Sequence, residues 1–375
     1  MNTLAQEIKS LPPSLLEQLS RQGFAPELLL RLASRLGEDV DTRNRLPGGV
    51  EPPKPDDLVR LPDPGTSDHD ALHKQGMHAL QRGELAVVVL AGGMATRMGG
   101  VVKALVPALD HKTFLDLRLA ENKRFSSLAA KQVPLWLMTS HATDARLREA
   151  IGPRIQPDLL TTFQQNLSLR LTDDGHLFRE SDGAPSLYAP GHGDLPEALR
   201  RSGLLSRFLE RGGRYVFIAN IDNLGATIDP VILGWHIRHG DPVTVEVVDK
   251  LGSDKGGIPV RWNGRRLILE EFRLPKSFDP ATVRVFNTNT FLVDARALHD
   301  LDMEFTWVQV AKKVGERRAI QFERLIGELT STLATRFLHL PRTGAASRFL
   351  PVKDMEELNR RRPEIAQVVA ARGMD

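Results

Sequence analysis

Hydrophobic positions along the chain alternate between strand-like runs and helix-like patterns. Short aliphatic runs bounded by turn-forming residues predict strands over 85–90, 134–139, 215–221, 243–248, 267–271 and 290–293. Amphipathic segments lie between several of them and predict helices over 113–131, 143–152 and 194–212. This alternation is typical of an α/β fold, with a mostly parallel mixed sheet covered by helices.

The N-terminal part of the chain has a different pattern. Leucines at helical spacing predict short amphipathic helices within residues 1–40. The proline-rich segment 46–65 is typical of an extended connector on the surface, and a helix is predicted over 70–83. We therefore predict an N-terminal helical segment with its connector over 1–84 and the main domain over 85–375.

One segment interrupts the alternation within the main domain. The turn signals "GSDKGG" and "NGR" predict a β-hairpin insertion around 249–275, beside the main sheet.

Composition narrows the classes of function. The 375 residues are 41% hydrophobic and 26% charged, as in ordinary globular proteins. The absence of cysteine excludes disulfides, thiolate catalysis and cysteine metal sites. A formal net charge of +3 does not indicate nonspecific nucleic-acid binding. Because no run is long enough for a membrane span and the start does not resemble a secretory signal, we expect no membrane association and a location in the cytoplasm.

A glycine-rich loop follows the strand predicted over 85–90. Gly92 and Gly93 lie at the carboxyl end of this strand, where ligands gather in open α/β sheets. Without Cβ atoms, they let backbone N–H groups approach an anion. Thr96, Arg97 and Lys103 follow closely and supply a hydroxyl group and two cations. We predict a phosphate-binding loop; the alternative is an ordinary glycine turn with solvated cations. The G-x-G-x-x-G and G-x-x-x-x-G-K-[ST] fingerprints are both absent.

The segment "FIANIDNLGATIDP" (217–230) ends a predicted strand in polar residues. Strand alternation points Asn220 and Asp222 in the same direction. A carboxylate at the end of a strand can hold Mg²⁺ against phosphate oxygens, with water completing the coordination. Asp222 is therefore a candidate magnesium ligand. The alternative is a simple turn, which Asn, Asp and Gly also favour.

Two other segments combine glycines, a histidine and amides. In "PGHGD", His192 lies between Gly191 and Gly193 just before a predicted helix, and a helix N-terminus favours anions. The alternative is an ordinary surface histidine. In "FNTN", Asn287 and Asn289 are two residues apart before the strand predicted over 290–293, and amides both donate to and accept from sugar hydroxyls.

A series of segments resembles the UDP-sugar pyrophosphorylase family, especially its UTP–glucose-1-phosphate uridylyltransferases. In order they are the glycine loop, "TFLDL", "MTSHATD", "FQQ", "PGHGD", "NIDNLGATID", "DKGG", "FNTN", "IQFE" and "SRFLPVK". "MTS" and "FQQN" look as close to the UDP-N-acetylhexosamine branch. In the loop, Ala95 and Val102 stand where the family has glycine and proline.

The resemblance also implies a fold. That fold is a nucleotide-diphospho-sugar transferase core of the glycosyltransferase-A kind, here with an N-terminal helical extension. Eukaryotic members continue after "LPVK" into a left-handed β-helix. Because this sequence ends soon after that motif, we expect the β-helix to be absent and leave the oligomeric state open.

The resemblance implies roles for individual residues. The catalytic set would be Lys103, Lys353, Asp222 and Arg97, with Asp222 on Mg²⁺. The nucleotide would contact Leu90, Ala91, Gly92, Gly93, Lys103, Gln165, Gly191 and Asp222. Gln165 would meet the uracil edge, with Gln164 as the alternative. The sugar phosphate would contact Gly93, His192, Asn220, Asn289 and Lys353.

The implied reaction converts UTP and glucose 1-phosphate to UDP-glucose and pyrophosphate by magnesium-dependent in-line transfer. The attacking phosphate is already an anion, so catalysis would rest on positioning and charge neutralisation. Another sugar 1-phosphate, such as that of N-acetylhexosamine or galactose, or a broad range of them, is an alternative substrate. A sugar-nucleotide sensor without turnover is an alternative of another class. The missing dinucleotide fingerprint disfavours a nicotinamide-dependent oxidoreductase.

Overall fold

The computed structural model describes residues 3–95, 98–252 and 254–374. Its helices are α1 (Thr3–Lys9), α2 (Pro13–Arg21), α3 (Pro26–Ala33), α4 (Val40–Asn44), α5 (Ser67–Arg82), α6 (Phe114–Ala129), α7 (Asp144–Ile151), α8 (Leu195–Ser202), α9 (Leu204–Glu210), α10 (Pro230–His239), α11 (Ala295–His299), α12 (Leu329–Thr332) and α13 (Met355–Ala371). No helix in these described ranges is both long and apolar enough to cross a membrane.

The strands are β1 (Val50–Glu51), β2 (Leu58–Val59), β3 (Leu85–Leu90), β4 (Met94–Ala95), β5 (Val101–Val102), β6 (Pro107–Leu109), β7 (Lys112–Thr113), β8 (Leu135–Thr139), β9 (Leu160–Gln164), β10 (Ser168–Leu169), β11 (Leu187–Tyr188), β12 (Tyr215–Asn220), β13 (Val243–Asp249), β14 (Gly257–Trp262), β15 (Arg265–Glu270), β16 (Val285–Asp294), β17 (Val308–Val314), β18 (Arg317–Glu323) and β19 (Thr335–His339).

The central sheet has eight strands in the order β2-β19-β13-β16-β12-β3-β8-β9. Every neighbouring pair is parallel except the two pairs that contain β16. The predicted mostly parallel mixed sheet is therefore confirmed. The carboxyl ends of β3, β8, β12, β13 and β19 consequently meet at one edge.

The neighbouring parallel strands β3 and β12 are buried on both faces, which explains their continuous hydrophobic sequence. Along β3, Leu85, Val87 and Val89 enter one core cluster, whereas the residues between them enter the cluster on the opposite face. The same alternation holds for β12. A strand covered by helices and hairpins on both sides has no solvent-facing positions, so its sequence does not alternate.

The strand predicted over 290–293 is longer in the structure, and this corrects the placement of the "FNTN" segment. β16 begins at Val285, so Asn287 and Asn289 lie inside a strand. The pairing with β13 is irregular between Val245 and Val247, and Asn289 has a φ of 58°. Asparagine tolerates this left-handed conformation, which lets a long strand bend at a sequence that reads as a turn.

The N-terminal helices dock on the rest of the chain through a separate hydrophobic cluster. Leu4, Leu19 and Leu29 pack there against Leu169 and Phe322. The connector, predicted to lie over the surface, also contributes to the fold: β2 pairs with β19 at the edge of the central sheet. The physical reason is that Leu58 and Val59 are apolar and the edge of β19 offers unpaired backbone groups.

Helix α5 crosses α10 at very short range. A Cβ added to Gly76 would lie 1.9 Å from the carbonyl oxygen of Pro230, and one added to Gly234 would lie 1.9 Å from that of Leu72. Only glycine permits this approach at either position. The crossing anchors the last part of the N-terminal segment beside the central sheet, and the domain division at residue 84 stays a prediction.

β14 and β15 form an antiparallel hairpin within the segment 249–275. Its two-residue turn is Asn263–Gly264, both with positive φ (50° and 78°), as a tight hairpin turn requires. β1 adds a third strand beside β14.

Candidate active site

The carboxyl ends of β3 and β12 are directly adjacent, because Asn220 is paired with Leu90 across the sheet. The chain continues from them into the glycine-rich loop and into Asp222. The ammonium nitrogen of Lys103 donates to Oδ2 of Asp222 at 2.6 Å, and both side chains are mostly buried. The structure thus brings together the predicted phosphate cation and the predicted magnesium ligand.

Lys353, also in the predicted catalytic set, is brought near Asp222 by a backbone contact of the residue before it. The N–H group of Val352 donates to Oδ2 of Asp222 at 3.3 Å, which places Lys353 one residue beyond this contact, with an exposed side chain. Asn223 holds the same segment, since its amide oxygen accepts from the N–H group of Leu350 at 2.8 Å. The neighbouring cation, Arg348, is buried, and its charge is neutralised by an ion pair with Glu246.

Arg118 on α6 supports this region, although it was not among the site residues predicted from the sequence. Its buried guanidinium donates to the carbonyl oxygens of Asn220, Asn223 and Ala226 and to the carboxylate of Glu121. These bonds fix the turn that carries Asp222. The available signal was an arginine and a glutamate three residues apart on an otherwise apolar helix face.

The glycine-rich loop forms a small hairpin in which β4 pairs with β5. Gly93 is exposed, and a Cβ there would meet nothing within 4 Å. Ala95 and Val102, the two departures from the family pattern, are 5% and 1% exposed and belong to the core. Their side chains therefore fill the interior and do not narrow the exposed approach at Gly93. Thr96 and Arg97 lie outside the described residues.

Gln165 lies against Gly92 and is the glutamine at the loop. A Cβ on Gly92 would lie 2.5 Å from Oε1 of Gln165, so a larger residue at this position would displace the amide. Ser140, the residue after β8, donates to the carbonyl oxygen of Gly92 at 2.9 Å. The amide of Gln164 instead donates to Asp144 and accepts from Gln22. Leu90 and Ala91 are buried just before the loop.

The "PGHGD" segment is a tight turn pressed against Arg324. Gly191 has a φ of 96°, and a Cβ on it would lie 2.8 Å from the carbonyl oxygen of Arg324. Asp194 is fully buried, ion-paired with Arg324, and accepts from the N–H group of Asn166 at 3.0 Å. Both Gly191 and Asp194 thus shape the turn itself.

His192 has a defined protonation state in this turn. Its Nδ1 accepts from the N–H group of Ile326 at 2.9 Å, so the neutral ring carries its proton on Nε2. Burial lowers the pKa of His192 to about 4, against the opposing effect of Glu323. At neutral pH the ring therefore offers one N–H donor and no charge.

Two of the predicted sugar-phosphate residues are in direct contact. The amide nitrogen of Asn289 donates to the amide oxygen of Asn220 at 2.9 Å. Asn287 accepts from the N–H group of Asn289 at 2.9 Å, so it stabilises the bend in β16. The contact joins β16 to the end of β12, beside the turn that carries Asp222.

Asp222 provides only part of a metal site. Among the described residues, no group of three or more histidine and carboxylate side chains is placed to hold a metal ion. Mg²⁺ commonly binds through one or two carboxylates while substrate phosphates and water supply the other oxygens. The arrangement therefore fits a magnesium ion that arrives with phosphate, and it does not fit an ion held by protein ligands alone.

A cavity of about 1150 Å³ lies elsewhere, between α5, α6, α10 and the segment 339–348. None of the predicted site residues lines it. The candidate site lies instead at the carboxyl ends of β3 and β12.

Comparison with known proteins identifies the family to which the sequence is similar. A family model described as UTP–glucose-1-phosphate uridylyltransferase matches residues 46–368. A protein of that name from Encephalitozoon cuniculi is 30% identical over 317 residues, which cover 80% of this chain and 60% of that protein. The chain thus spans less than two thirds of the length of the curated relatives that it matches.

Solved structures agree as well. UDP-glucose phosphorylase from Trypanosoma brucei, whose crystal structure is known, has 25% sequence identity to this chain. The two structures align with a TM-score of 0.74 over 92% of this chain and 76% of that one. The UDP-N-acetylglucosamine pyrophosphorylase of the same organism, solved with an inhibitor, is 21% identical, with a TM-score of 0.76 over 98% and 81%. The fold is therefore that of the UDP-sugar pyrophosphorylases.

Proposed function

Because the chain belongs to the UTP–glucose-1-phosphate uridylyltransferase family, we propose that it converts UTP and glucose 1-phosphate to UDP-glucose and pyrophosphate. The observation that carries the proposal is the contact between Lys103 and Asp222 at 2.6 Å, beside the glycine-rich loop. A cation, a carboxylate and an exposed glycine backbone at one strand edge suit a nucleoside triphosphate.

The reaction needs no nucleophile from the protein. An oxygen of the sugar phosphate attacks the α-phosphorus of UTP, the bond from this phosphorus to the bridging oxygen breaks, and pyrophosphate leaves with the electron pair. Two polyanions must be held in line, so the protein has to position them and neutralise charge. Lys103 and Lys353 supply the positive charge, and the backbone at Gly92 and Gly93 receives the phosphates.

His192, Asn220 and Asn289 bind the sugar phosphate in this proposal. His192 donates from Nε2 without carrying charge, because its Nδ1 is occupied by the N–H group of Ile326. The contact between the amides of Asn220 and Asn289 leaves each with further hydrogen-bonding capacity for hydroxyl groups. Gln165 lies against Gly92, where its amide can both donate to and accept from the uracil edge.

Magnesium is part of the proposal as an ion that enters with the nucleotide. Asp222 would hold it, and the bound ion would neutralise negative charge on the phosphates. Lys103 keeps Asp222 ion-paired in the free protein, so the carboxylate has a compensating charge before the ligand arrives. The cytoplasmic location stays a prediction, which microscopy of the tagged chain would test.

The test is the forward reaction with UTP, Mg²⁺ and a panel of sugar 1-phosphates, with pyrophosphate release as the readout. We expect glucose 1-phosphate to react fastest. Faster turnover of N-acetylglucosamine 1-phosphate or galactose 1-phosphate would assign a different sugar substrate to the same reaction. Binding of UTP with no pyrophosphate release for any sugar would favour the sensor alternative. Chelation of Mg²⁺ is the control, and we expect it to abolish the signal.

A further inference from the structure

The end of helix α2 lies against the segment that carries Gln165. The amide nitrogen of Gln22 donates to Oε1 of Gln164 at 2.8 Å, and the carbonyl oxygen of Gln22 accepts from the N–H group of Leu167 at 3.0 Å. One residue of the N-terminal segment thus bonds on both sides of Gln165 and Asn166. This contact joins parts of the chain that are 142 residues apart.

The next residue shows how tightly the two segments pack. Gly23 has a φ of 73°, and a Cβ there would lie 2.6 Å from Nη1 of Arg201 and 2.9 Å from Oδ1 of Asn166. Arg201 in turn donates to the carbonyl oxygen of Gln164 at 2.8 Å. The backbone before and after Gln165 is therefore clamped between the end of α2 and α8.

The contacts of Gln164 continue to the end of β8. Gln164 donates to Asp144 at 2.9 Å, and Asp144 accepts from Thr139, the last residue of β8, at 2.7 Å. The N–H group of Gln165 donates to the carbonyl oxygen of Thr139 at 2.9 Å, and its neighbours Gln164 and Asn166 are held by the contacts just described, while its Oε1 faces Gly92. The side chain of Gln22 is the part of this clamp that comes from outside the sheet.

We propose that Gln22 is a positioning residue for nucleotide selection, acting through Gln164 and Leu167 on Gln165. The N-terminal helices then belong to the apparatus that distinguishes uracil from other bases. This inference rests on the proposed function, because it takes Gln165 as the residue at the base. In the proposed function, the amide of Gln165 recognises uracil by both donating and accepting hydrogen bonds. If this amide is misoriented, the site loses its preference for uracil, whereas the phosphates are still bound by other groups.

The experiment measures the affinities of UTP and CTP for the full chain by calorimetry. The test variant is Gln22→Met, which keeps the length of the side chain and removes its amide. We expect a loss of about fivefold in UTP affinity, with CTP affinity nearly unchanged, as for one lost hydrogen bond. Gln165→Ala should lower the UTP-to-CTP ratio at least as much.

Glu7→Ala is the matched control, because Glu7 also docks an N-terminal helix. Its carboxylate accepts from the N–H group of Leu177 at 2.8 Å and contacts Nδ1 of His176 at 2.9 Å, away from residues 164–167. Its loss should lower the thermal stability of the docked segment without changing the UTP-to-CTP ratio. An equal change of that ratio in both variants would mean simple docking and would overturn the inference.

The outcomes separate this inference from the proposed function. If the wild-type chain binds UTP and Gln165→Ala removes the preference over CTP, but Gln22→Met keeps it, only the role of Gln22 is wrong. If the wild-type chain does not bind UTP, the proposed function fails and the role of Gln22 fails with it.

Discussion

Lys103 and Asp222 are 119 residues apart in the sequence, and their side chains form an ion pair at 2.6 Å in the folded chain. One residue follows the β4–β5 hairpin and the other follows β12. Each therefore keeps the other neutralised in a partly buried place, where an isolated charge would be costly. In the proposed function, the phosphates would share this lysine and a magnesium ion would share this carboxylate.

Lys103→Ala should lower kcat for pyrophosphate release by about 100-fold or more, since it removes a cation from the site of charge development. Lys112→Ala, at an exposed lysine of β7, is the control and should retain the wild-type rate. Circular dichroism should show both variants folded. A rate near wild type for Lys103→Ala would remove this lysine from the proposed mechanism.

Gly92→Ala should weaken UTP binding by about tenfold, because the new Cβ would collide with the amide of Gln165 and turn it away. Titration calorimetry is the measurement. In a Gln165→Ala background, the same substitution should cost much less, because the colliding amide is gone. Equal losses in both backgrounds would show that the glycine acts without Gln165.

His192 should make stability depend on pH below neutrality. Its folded pKa of about 4 lies below the ordinary value of 6.5, so the unfolded chain binds more protons between these values. The contribution is fully present above pH 6.5 and decreases as pH falls toward 4. Urea unfolding at pH 7 and pH 5 should therefore show a smaller difference between wild type and His192→Gln at pH 5. An unchanged difference would contradict a ring that stays neutral in the folded chain.

Arg118→Met should destabilise the chain by about 3–5 kcal/mol, because it leaves the carboxylate of Glu121 without its ion-pair partner inside the core. Chemical denaturation measures this effect. Lys313→Ala, which breaks the exposed pair with Glu316, should change stability by no more than about 0.5 kcal/mol.

A second variant separates charge burial from packing at Arg118. The N–H group of Ile228 donates to the carboxylate of Glu121 at 2.7 Å. Glu121→Gln removes the charge and keeps an oxygen that can accept this hydrogen bond. Adding Glu121→Gln to Arg118→Met should therefore recover part of the lost stability. If the double variant is less stable than Arg118→Met alone, the buried charge is not the main cause.

The strands around the site could be predicted because their signal is local. β3 was predicted at its observed bounds, and β12 differed by one residue at its end. The glycine-rich loop and Asp222 could be placed at the same edge, since carboxyl ends of parallel strands meet there. "FNTN" was placed before its strand because its composition is that of a turn, whereas the bend of β16 comes from pairing with β13.

The sequence by itself determined the class of the sheet and the residues available at its carboxyl edge, because periodicity and turn chemistry act between near neighbours. Only the tertiary structure decided which of those residues face one another. It placed Gln165 and not Gln164 against Gly92, buried Arg348 against Glu246, and joined Lys103 to Asp222. The physical reason is that a side chain's charge, burial and partner depend on strand order and on segments far along the chain, which no local pattern encodes.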